Sequence, residues 1–288
     1  MRIHDAFNRC VCFIGYQVGD TERVGASAFF VEFEPGVRLA VTARHVIDSI
    51  RASAPPGTPV RLWVNRVDGL GYLDTEVDDW LFHPSNPSID AAVWRHPVPW
   101  EGLGHLAIQR QIFITDAFID EQKVGIGDEL FFPGLFVHHR GANRVRPIMR
   151  QGTIAAVPEE PVKTAIGPME AYLAEVRSIG GLSGSPVFLH MDPFRVPPGD
   201  EPLPEDSPPV TFIGLVHGHH DWRTKLGQPI DLEAINMGIS VILPAQRIRE
   251  VIEQSAMAVA SRSDAELPVM DATFAGAEFR PVEFERTI

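Results

Sequence analysis

Short apolar or alternating runs recur along most of the chain, and Gly, Pro or Asp residues bound each of them. This pattern favours strands joined by turns over long helices. The clearest runs are RCVCFIGYQV, GASAFFVEFE, RLAVTARHV, PVRLWVNRV and SIDAAVWRH and, after a less regular middle, DELFFPGLFV, RPIMRQGTIAAV, MEAYLAEVRSI, SPVFLH, VTFIGLVHG and GISVILPA. So many short strands with turns between them predict a β-barrel or a β-sandwich.

One helix interrupts this pattern near the end of the chain. In PAQRIREVIEQSAMAVA, the apolar residues Ile248, Val251 and Ile252 fall on one helical face, and Pro244 stands near the start. The proline-rich, acidic stretch 191–209 is typical of an exposed loop between two strands.

Composition and charge exclude some classes of partner. The 288 residues carry a formal net charge of −13 and no Lys/Arg block, so we expect neither nucleic acid nor an anionic membrane as a partner. The first residues do not have the pattern of a signal peptide, and no apolar stretch approaches the roughly 18 residues of a membrane span.

The two cysteines, Cys10 and Cys12, stand two apart in a predicted strand. A bridge at that spacing would strain the backbone, and a lone CxC offers too few ligands for zinc. We therefore predict two reduced thiols that face the core of a cytoplasmic protein.

The stretch SIGGLSGSPVF concentrates glycine around Ser183 and Ser185. A Gly/Ser turn without chemistry would account for it. The alternative is a nucleophile loop, because an attacking serine needs its own N–H and one nearby to point at the developing oxyanion, and glycine adopts the required turn cheaply. In that case Gly181 occupies the position of the second donor.

Two further segments supply the groups that a nucleophilic serine requires. His45 follows the apolar strand of LAVTARHVID, and Asp90 begins the apolar strand of SIDAAVW. A serine needs a base, and the base needs an acceptor that fixes its tautomer. Their order in the chain favours a Ser–His–Asp arrangement over unrelated surface residues.

Taken together, these segments resemble the trypsin-like (chymotrypsin-fold) serine peptidases, in the style of their bacterial members. The resemblance is carried in order by GASAFF with VTARHV, IDAAVW, GLSGSPVF, and FIGLVHG with GISVILPAQRIREVI, and VGIGDELFFPG is similar to the family's entry into its second barrel. It implies an all-β double six-stranded β-barrel with a C-terminal helix, with barrels at 8–115 and 116–255 and a tail at 256–288.

The family's roles pass to the matching positions. Ser183 would be the nucleophile, His45 the general base and then the acid, and Asp90 the group that orients and stabilises the imidazolium. The N–H groups of Gly181 and Ser183 would form the oxyanion hole. The resemblance implies a peptidase that acts on protein or peptide substrates without a cofactor.

The substrate pocket is the part in which this chain departs from the family. Arg177 stands where the family has the floor of its specificity pocket, and the pocket strand GLVHGHHD places His217, Gly218 and His219 nearby. A basic pocket would favour an acidic substrate side chain; otherwise Arg177 turns outward or pairs with a carboxylate such as Glu175.

The histidines of HGHHD have a second interpretation. His217 and His219 share one face of a strand, and His220 with Asp221 could add ligands for zinc. No other histidine pair has a convincing ligand spacing, so we expect no metal and predict instead that His217 lies beside Asp90.

The sequence thus predicts a serine endopeptidase and leaves two alternatives open. One is a catalytically silent protease-fold module that binds or scaffolds other proteins. The other is a protease that is latent until a regulatory protein partner or ligand orders its loops.

Overall fold

The computed structural model of the chain describes residues 3–164, 166–176, 180–191, 209–222, 235–263 and 279–281. For residues 219–222, 235–237, 255–263 and 279–281 only the backbone is described.

The N-terminal half contains eight strands and a helix that follows the third of them. The strands are β1 (Val11–Val18), β2 (Thr21–Glu34), β3 (Val37–Thr42), β4 (Val60–Arg66), β5 (Gly69–Thr75), β6 (Trp80–Phe82), β7 (Ala92–Trp94) and β8 (Ile108–Gln109), and the helix is α1 (Arg44–Ser53). Short 3-10 helices lie at Asp5–Cys10, Val77–Asp79 and Arg110–Ile112.

The C-terminal half contains the remaining strands and two helices. The strands are β9 (Glu129–Gly134), β10 (Ile148–Ala156), β11 (Val162–Thr164), β12 (Gly167–Met169), β13 (Tyr172–Glu175), β14 (Pro186–His190), β15 (Val210–Trp222), β16 (Ile235–Pro244) and β17 (Phe279–Pro281). The helices are α2 (Asp116–Gln122), which the sequence did not predict, and α3 (Ala245–Ser263), which begins directly after Pro244 as predicted.

The strands form two principal sheets. The first has nine strands in the order β17-β5-β4-β1-β2-β3-β7-β6, with β8 alongside β2, and its hydrogen-bonded path is open. The second is a closed barrel of six strands in the order β10-β13-β16-β15-β14-β9, and β11 and β12 form a separate hairpin. The predicted all-β fold with a C-terminal helix is therefore confirmed, and its second half is the predicted six-stranded barrel. The first half differs from the prediction, because its strands form a nine-stranded sheet with an open path instead of a second six-stranded barrel.

The two halves share one apolar core. Phe29 of β2 packs on Phe212 of β15 with the ring centroids 5.4 Å apart. Phe7, from the N-terminal 3-10 helix, packs edge-on against Phe131 and Phe188 of the barrel at 5.0 and 4.9 Å. Full burial of such a ring stabilises the folded state by about 1.5–3 kcal/mol per side chain, so these contacts hold the two halves together.

Both cysteines are buried free thiols within this core, as the sequence predicts. Burial raises the pKa of each thiol, because the thiolate would lose its hydration. None of the helices in the described part of the chain combines the length and apolar character needed to cross a bilayer.

Candidate active site

The predicted base and its predicted acceptor are brought together by the pairing of two neighbouring strands. β3 pairs with β7 in the register Thr42–Ala92, which places Asp90 beside the first turn of α1, where His45 lies. Asp90 is fully buried, and its Oδ1 accepts the His45 backbone N–H at 2.8 Å while its Oδ2 lies 2.7 Å from His45 Nδ1. This pairing leaves Nε2 of the imidazole available for proton transfer.

A second imidazole shares the same carboxylate. His217 of β15 places its Nδ1 2.5 Å from Asp90 Oδ2, and the His45 and His217 rings lie 5.0 Å apart. Burial of Asp90 acts to raise the pKa of its carboxyl group, but the hydrogen bonds from His217 and His45 outweigh burial and hold that pKa below its usual value. Asp90 is therefore an anion that both imidazoles stabilise.

The nucleophile loop has the backbone geometry that the glycines predicted. Gly181 has φ +104° and Gly184 has φ +77°, both in the region that favours glycine. The Ser183 hydroxyl donates to the backbone oxygen of His217 at 3.2 Å. Within the described residues, no hydrogen bond joins this hydroxyl to the His45 ring, and such bonds often tighten only when substrate binds.

Ser27, from the other half of the molecule, holds this loop. Its N–H donates to the Ser183 carbonyl at 2.9 Å, and its hydroxyl donates to the Gly181 carbonyl at 2.9 Å. The same hydroxyl accepts the Leu135 N–H at 2.8 Å, and the Ser27 carbonyl accepts from the Thr42 hydroxyl at 2.8 Å. One fully buried serine thus fixes the loop at two of its carbonyls.

The two N–H groups assigned to the oxyanion hole have no competing acceptor among the residues that the structure describes. Within the described residues, neither the N–H of Gly181 nor that of Ser183 donates a hydrogen bond. An oxyanion hole requires two such donors beside the attacking oxygen.

Only part of the predicted substrate pocket can be located. Arg177 lies outside the described residues, and of His219 only the backbone is described, in β15. His217 and Gly218 also lie on β15, where a register shift between Val216 and Gly218 interrupts the pairing with β16. The basic pocket and its acidic substrate preference stay predictions.

A metal is not required to explain the cluster of ligand-type atoms. His45, Asp90 and His217 each offer one such atom, and these atoms lie within 4.8 Å of one another. Both Nδ1 atoms, however, are at hydrogen-bond distance from one carboxylate oxygen, which two N–H donors explain. The side chains of His219, His220 and Asp221, the other candidate zinc ligands, lie outside the described residues.

Sequence reasoning missed Ser27 and Thr42 as parts of the site. Both are polar residues within apolar strands, in the motifs GASAFF and VTARHV. A polar side chain at a core-facing strand position needs a buried hydrogen-bond partner. This requirement is the sequence feature from which Ser27 and Thr42 could have been identified.

Comparison with known proteins supports the fold at low sequence identity. No family model and no curated protein matches the sequence. The crystal structure of Deg5 is similar with a TM-score of 0.51 and 13% identity, over 86% of this chain and 90% of that one. The crystal structure of the MamO protease domain from Magnetospirillum magneticum (apo form) is similar with a TM-score of 0.51 and 15% identity, over 85% of this chain and 96% of that one.

The chain has the fold of the trypsin-like serine peptidases. The order of its motifs and the arrangement of its strands agree on this assignment. Identities of 13% and 15% carry the fold alone, so the chemistry must be argued from the site.

Proposed function

We propose that this protein is a serine endopeptidase that cleaves protein or peptide substrates in the cytoplasm without a cofactor. The observation that carries the proposal is that a buried carboxylate, Asp90, binds the Nδ1 side of His45, while His45 and Ser183 line one cavity. The candidate nucleophile and base thus border the same space, and the candidate acceptor binds the base, which supports an acyl-transfer mechanism.

The reaction follows from the positions of these groups. The Ser183 hydroxyl turns from the His217 carbonyl towards His45 Nε2, gives up its proton and attacks the substrate carbonyl. The Gly181 and Ser183 N–H groups stabilise the oxyanion, and Asp90 stabilises the imidazolium. His45 then protonates the leaving amine, and water hydrolyses the acyl-enzyme by the same route.

The test is covalent labelling with a fluorophosphonate probe, followed by mass spectrometry. We expect one label at Ser183 that is lost in Ser183→Ala. Ser185→Ala, a change in the same loop, is the matched control and should keep the label. A peptide-library digest with the same variants reports cleavage and the residues around the cut. Folded protein that takes no label would contradict the proposal.

One observation favours a catalytically silent binding module as the second candidate. The Ser183 hydroxyl is bonded to the His217 carbonyl and not to His45. A latent protease would also have its Ser183 hydroxyl bonded to the His217 carbonyl. The latent protease and the silent module are distinguished by adding a partner protein, since only the latent protease would then be labelled.

A further inference from the structure

Arginines from three distant segments of the chain line one cavity of about 470 Å³. The cavity lies between the N-terminal 3-10 helix, the end of β4 and the segment that joins β9 to β10, and it shares no lining residue with the cavity of His45 and Ser183. Its arginines are Arg9, Arg66, Arg144 and Arg146. Among the residues that the structure describes, Asp5 is the one acidic member of the lining. Because the whole chain carries a formal net charge of −13, this cavity concentrates positive charge in an acidic protein.

The backbone between Arg144 and Arg146 is held by a single side chain. Asn65, at the end of β4, accepts the Val145 N–H through its Oδ1 at 2.8 Å and donates from its Nδ2 to the Val145 carbonyl at 3.1 Å. Val145 is buried, whereas the arginines on either side of it are exposed. Both arginines therefore extend from a fixed peptide segment.

A buried histidine joins the other two walls of the cavity. His105 accepts the Asn65 backbone N–H through its Nε2 at 2.6 Å, and its Nδ1 lies 2.9 Å from the Arg9 carbonyl oxygen. Burial lowers the pKa of His105 to about 4, so the ring is neutral near pH 7 and its Nδ1 carries the proton that Arg9 accepts. The end of β4 and the N-terminal 3-10 helix are thus held at a fixed separation.

Two of the four arginines lack a carboxylate partner among the described residues. Arg66 pairs with Asp68 at 3.0 Å, and Arg140, just outside the cavity, pairs with Glu22 at 3.1 Å. By contrast, no described carboxylate lies within ion-pair distance of the Arg144 or the Arg146 guanidinium.

The stem of Arg146 is also held in place. It packs so closely on Gly141 that a Cβ there would lie 3.1 and 3.3 Å from the Arg146 Cγ and Cδ atoms. A cation with a restrained stem and no described anionic partner loses less freedom when it binds an anion from solution.

We propose that this cavity binds a phosphorylated small molecule that carries at least two negative charges. A guanidinium group binds phosphate oxygens through two parallel N–H donors, and several such groups together suit a multiply charged ligand. The volume is within the range of small-molecule sites, roughly 300–1,000 Å³. A nucleic acid would also approach the acidic remainder of the molecule, which would repel it. The inference is independent of the proposed peptidase activity.

The first experiment is calorimetry with pyrophosphate, inorganic phosphate, acetate and a tetraglutamate peptide at about 0.1 M salt. We expect saturable binding of pyrophosphate, phosphate binding at least about tenfold weaker, and no binding of acetate or of the peptide. Absence of saturable pyrophosphate binding would overturn the inference. Tighter binding of the peptide than of pyrophosphate would also overturn it, because the cavity would then accept an acidic protein segment.

Charge-neutral variants locate the binding. Arg144→Gln and Arg146→Gln should each raise the Kd for pyrophosphate by at least about tenfold, since each removes charge-assisted hydrogen bonds. Arg110→Gln removes the same charge from an exposed arginine that does not line the cavity and should leave the Kd within about twofold. If neither cavity variant raises the Kd more than Arg110→Gln does, the assignment to this cavity is wrong.

A variant of opposite sign completes the test. Asp5→Asn removes the acidic side chain from the lining and should lower the Kd for pyrophosphate by about threefold or more, because a nearby like charge is lost. Asp120→Asn makes the same change at an exposed position of α2 and should have little effect. Equal changes in the two variants would assign the binding to the overall charge of the protein, which contradicts a specific site.

Discussion

The two sides of the proposed catalytic centre are held by different kinds of contact. His45 and Asp90 are fixed by side-chain hydrogen bonds around one buried charge, to which His217 adds another. The loop 181–185 is fixed by its own glycine conformations and by backbone groups that bond to Ser27 and Val216. The base side should therefore respond to charge and pH, whereas the nucleophile side should respond to volume and to lost hydrogen bonds.

The largest effect should come from Asp90→Asn, which tests the charged side. An amide cannot accept from both imidazoles and stabilise a positive charge, and kcat should fall on the order of 10⁴-fold. Steady-state kinetics on an activated ester or a peptide found by the library digest measures this loss. Asp48→Asn, at a half-exposed carboxylate that pairs with Arg44 and Arg51, is the control and should retain activity within about twofold. A decrease in kcat of less than tenfold in Asp90→Asn would mean that the buried carboxylate does not orient or stabilise the His45 imidazolium.

Gly184→Ala tests the steric side of the comparison. A Cβ at this position would lie 2.3 Å from the Ser27 carbonyl oxygen and 2.4 Å from the Thr42 hydroxyl, at a φ of +77°. We expect the free energy of unfolding to fall by more than about 2 kcal/mol and activity to be lost with it.

The control for that change is Gly180→Ala, because a Cβ there meets no atom of the described residues within 4 Å. Urea unfolding should show a cost of less than about 1 kcal/mol for this variant. Equal losses of unfolding free energy in the two variants would show that the close approach of the loop to Ser27 and Thr42 is not the cause of the destabilisation.

Two buried serines near the nucleophile provide a matched pair for the hydrogen bonds. Ser27→Ala leaves the Leu135 N–H and the Gly181 carbonyl without their buried partner, at about 1–3 kcal/mol each, and loosens the oxyanion loop. We expect kcat to fall about tenfold with little change in KM.

Ser185→Ala should be nearly neutral, because the buried Ser185 hydroxyl has no hydrogen-bond partner among the described residues. Chemical denaturation and steady-state kinetics on both variants make the comparison. If Ser185→Ala lowers the unfolding free energy and kcat as much as Ser27→Ala does, the hydrogen bonds of Ser27 are not what stabilises the loop.

The smallest effect should be on the pH dependence of stability. Because the pKa of Asp90 is lowered in the folded protein, its contribution is present above the ordinary carboxyl value of about 3.9 and is lost as the pH falls below that value. Burial acts to raise this pKa, while the hydrogen bonds from His217 and His45 lower it.

Unfolding free energies measured between pH 7 and pH 3 should show this acid-sensitive part in wild type and in Ser27→Ala but not in Asp90→Asn. The same curve in all three proteins would assign the acid sensitivity to other groups.

The sequence was informative where a residue's role depends on local pattern. Alternating runs predicted the strands, the apolar face of Ile248, Val251 and Ile252 predicted α3, and the glycines around Ser183 predicted a loop with positive φ. It was less informative about α2, a helix of seven residues that Thr115 caps through its hydroxyl, because so short a segment shows little periodicity.

Contacts between distant segments could not be predicted from local sequence pattern. Ser27 and Gly181 are separated by 154 positions, and their hydrogen bond depends on how the two sheets pack. A serine within GASAFF gives no indication of which loop it will bind. The cavity beside His45 likewise depends on the distance between a hairpin and a helix, which no motif encodes.

By itself, the sequence determined the order of nucleophile, base and acceptor motifs and the kind of backbone around each. These depend on hydrophobic period and on glycine's freedom at φ above zero, which are local properties. The sequence also predicted that His217 lies beside Asp90, and the structure confirms it. Only the tertiary structure decided that both imidazoles meet the same oxygen of Asp90, that Ser27 holds the loop around Ser183, and that a cavity adjoins His45. Each of these depends on the packing of the two sheets against one another. Packing determines which long-range contacts form, and the local sequence pattern does not distinguish between them.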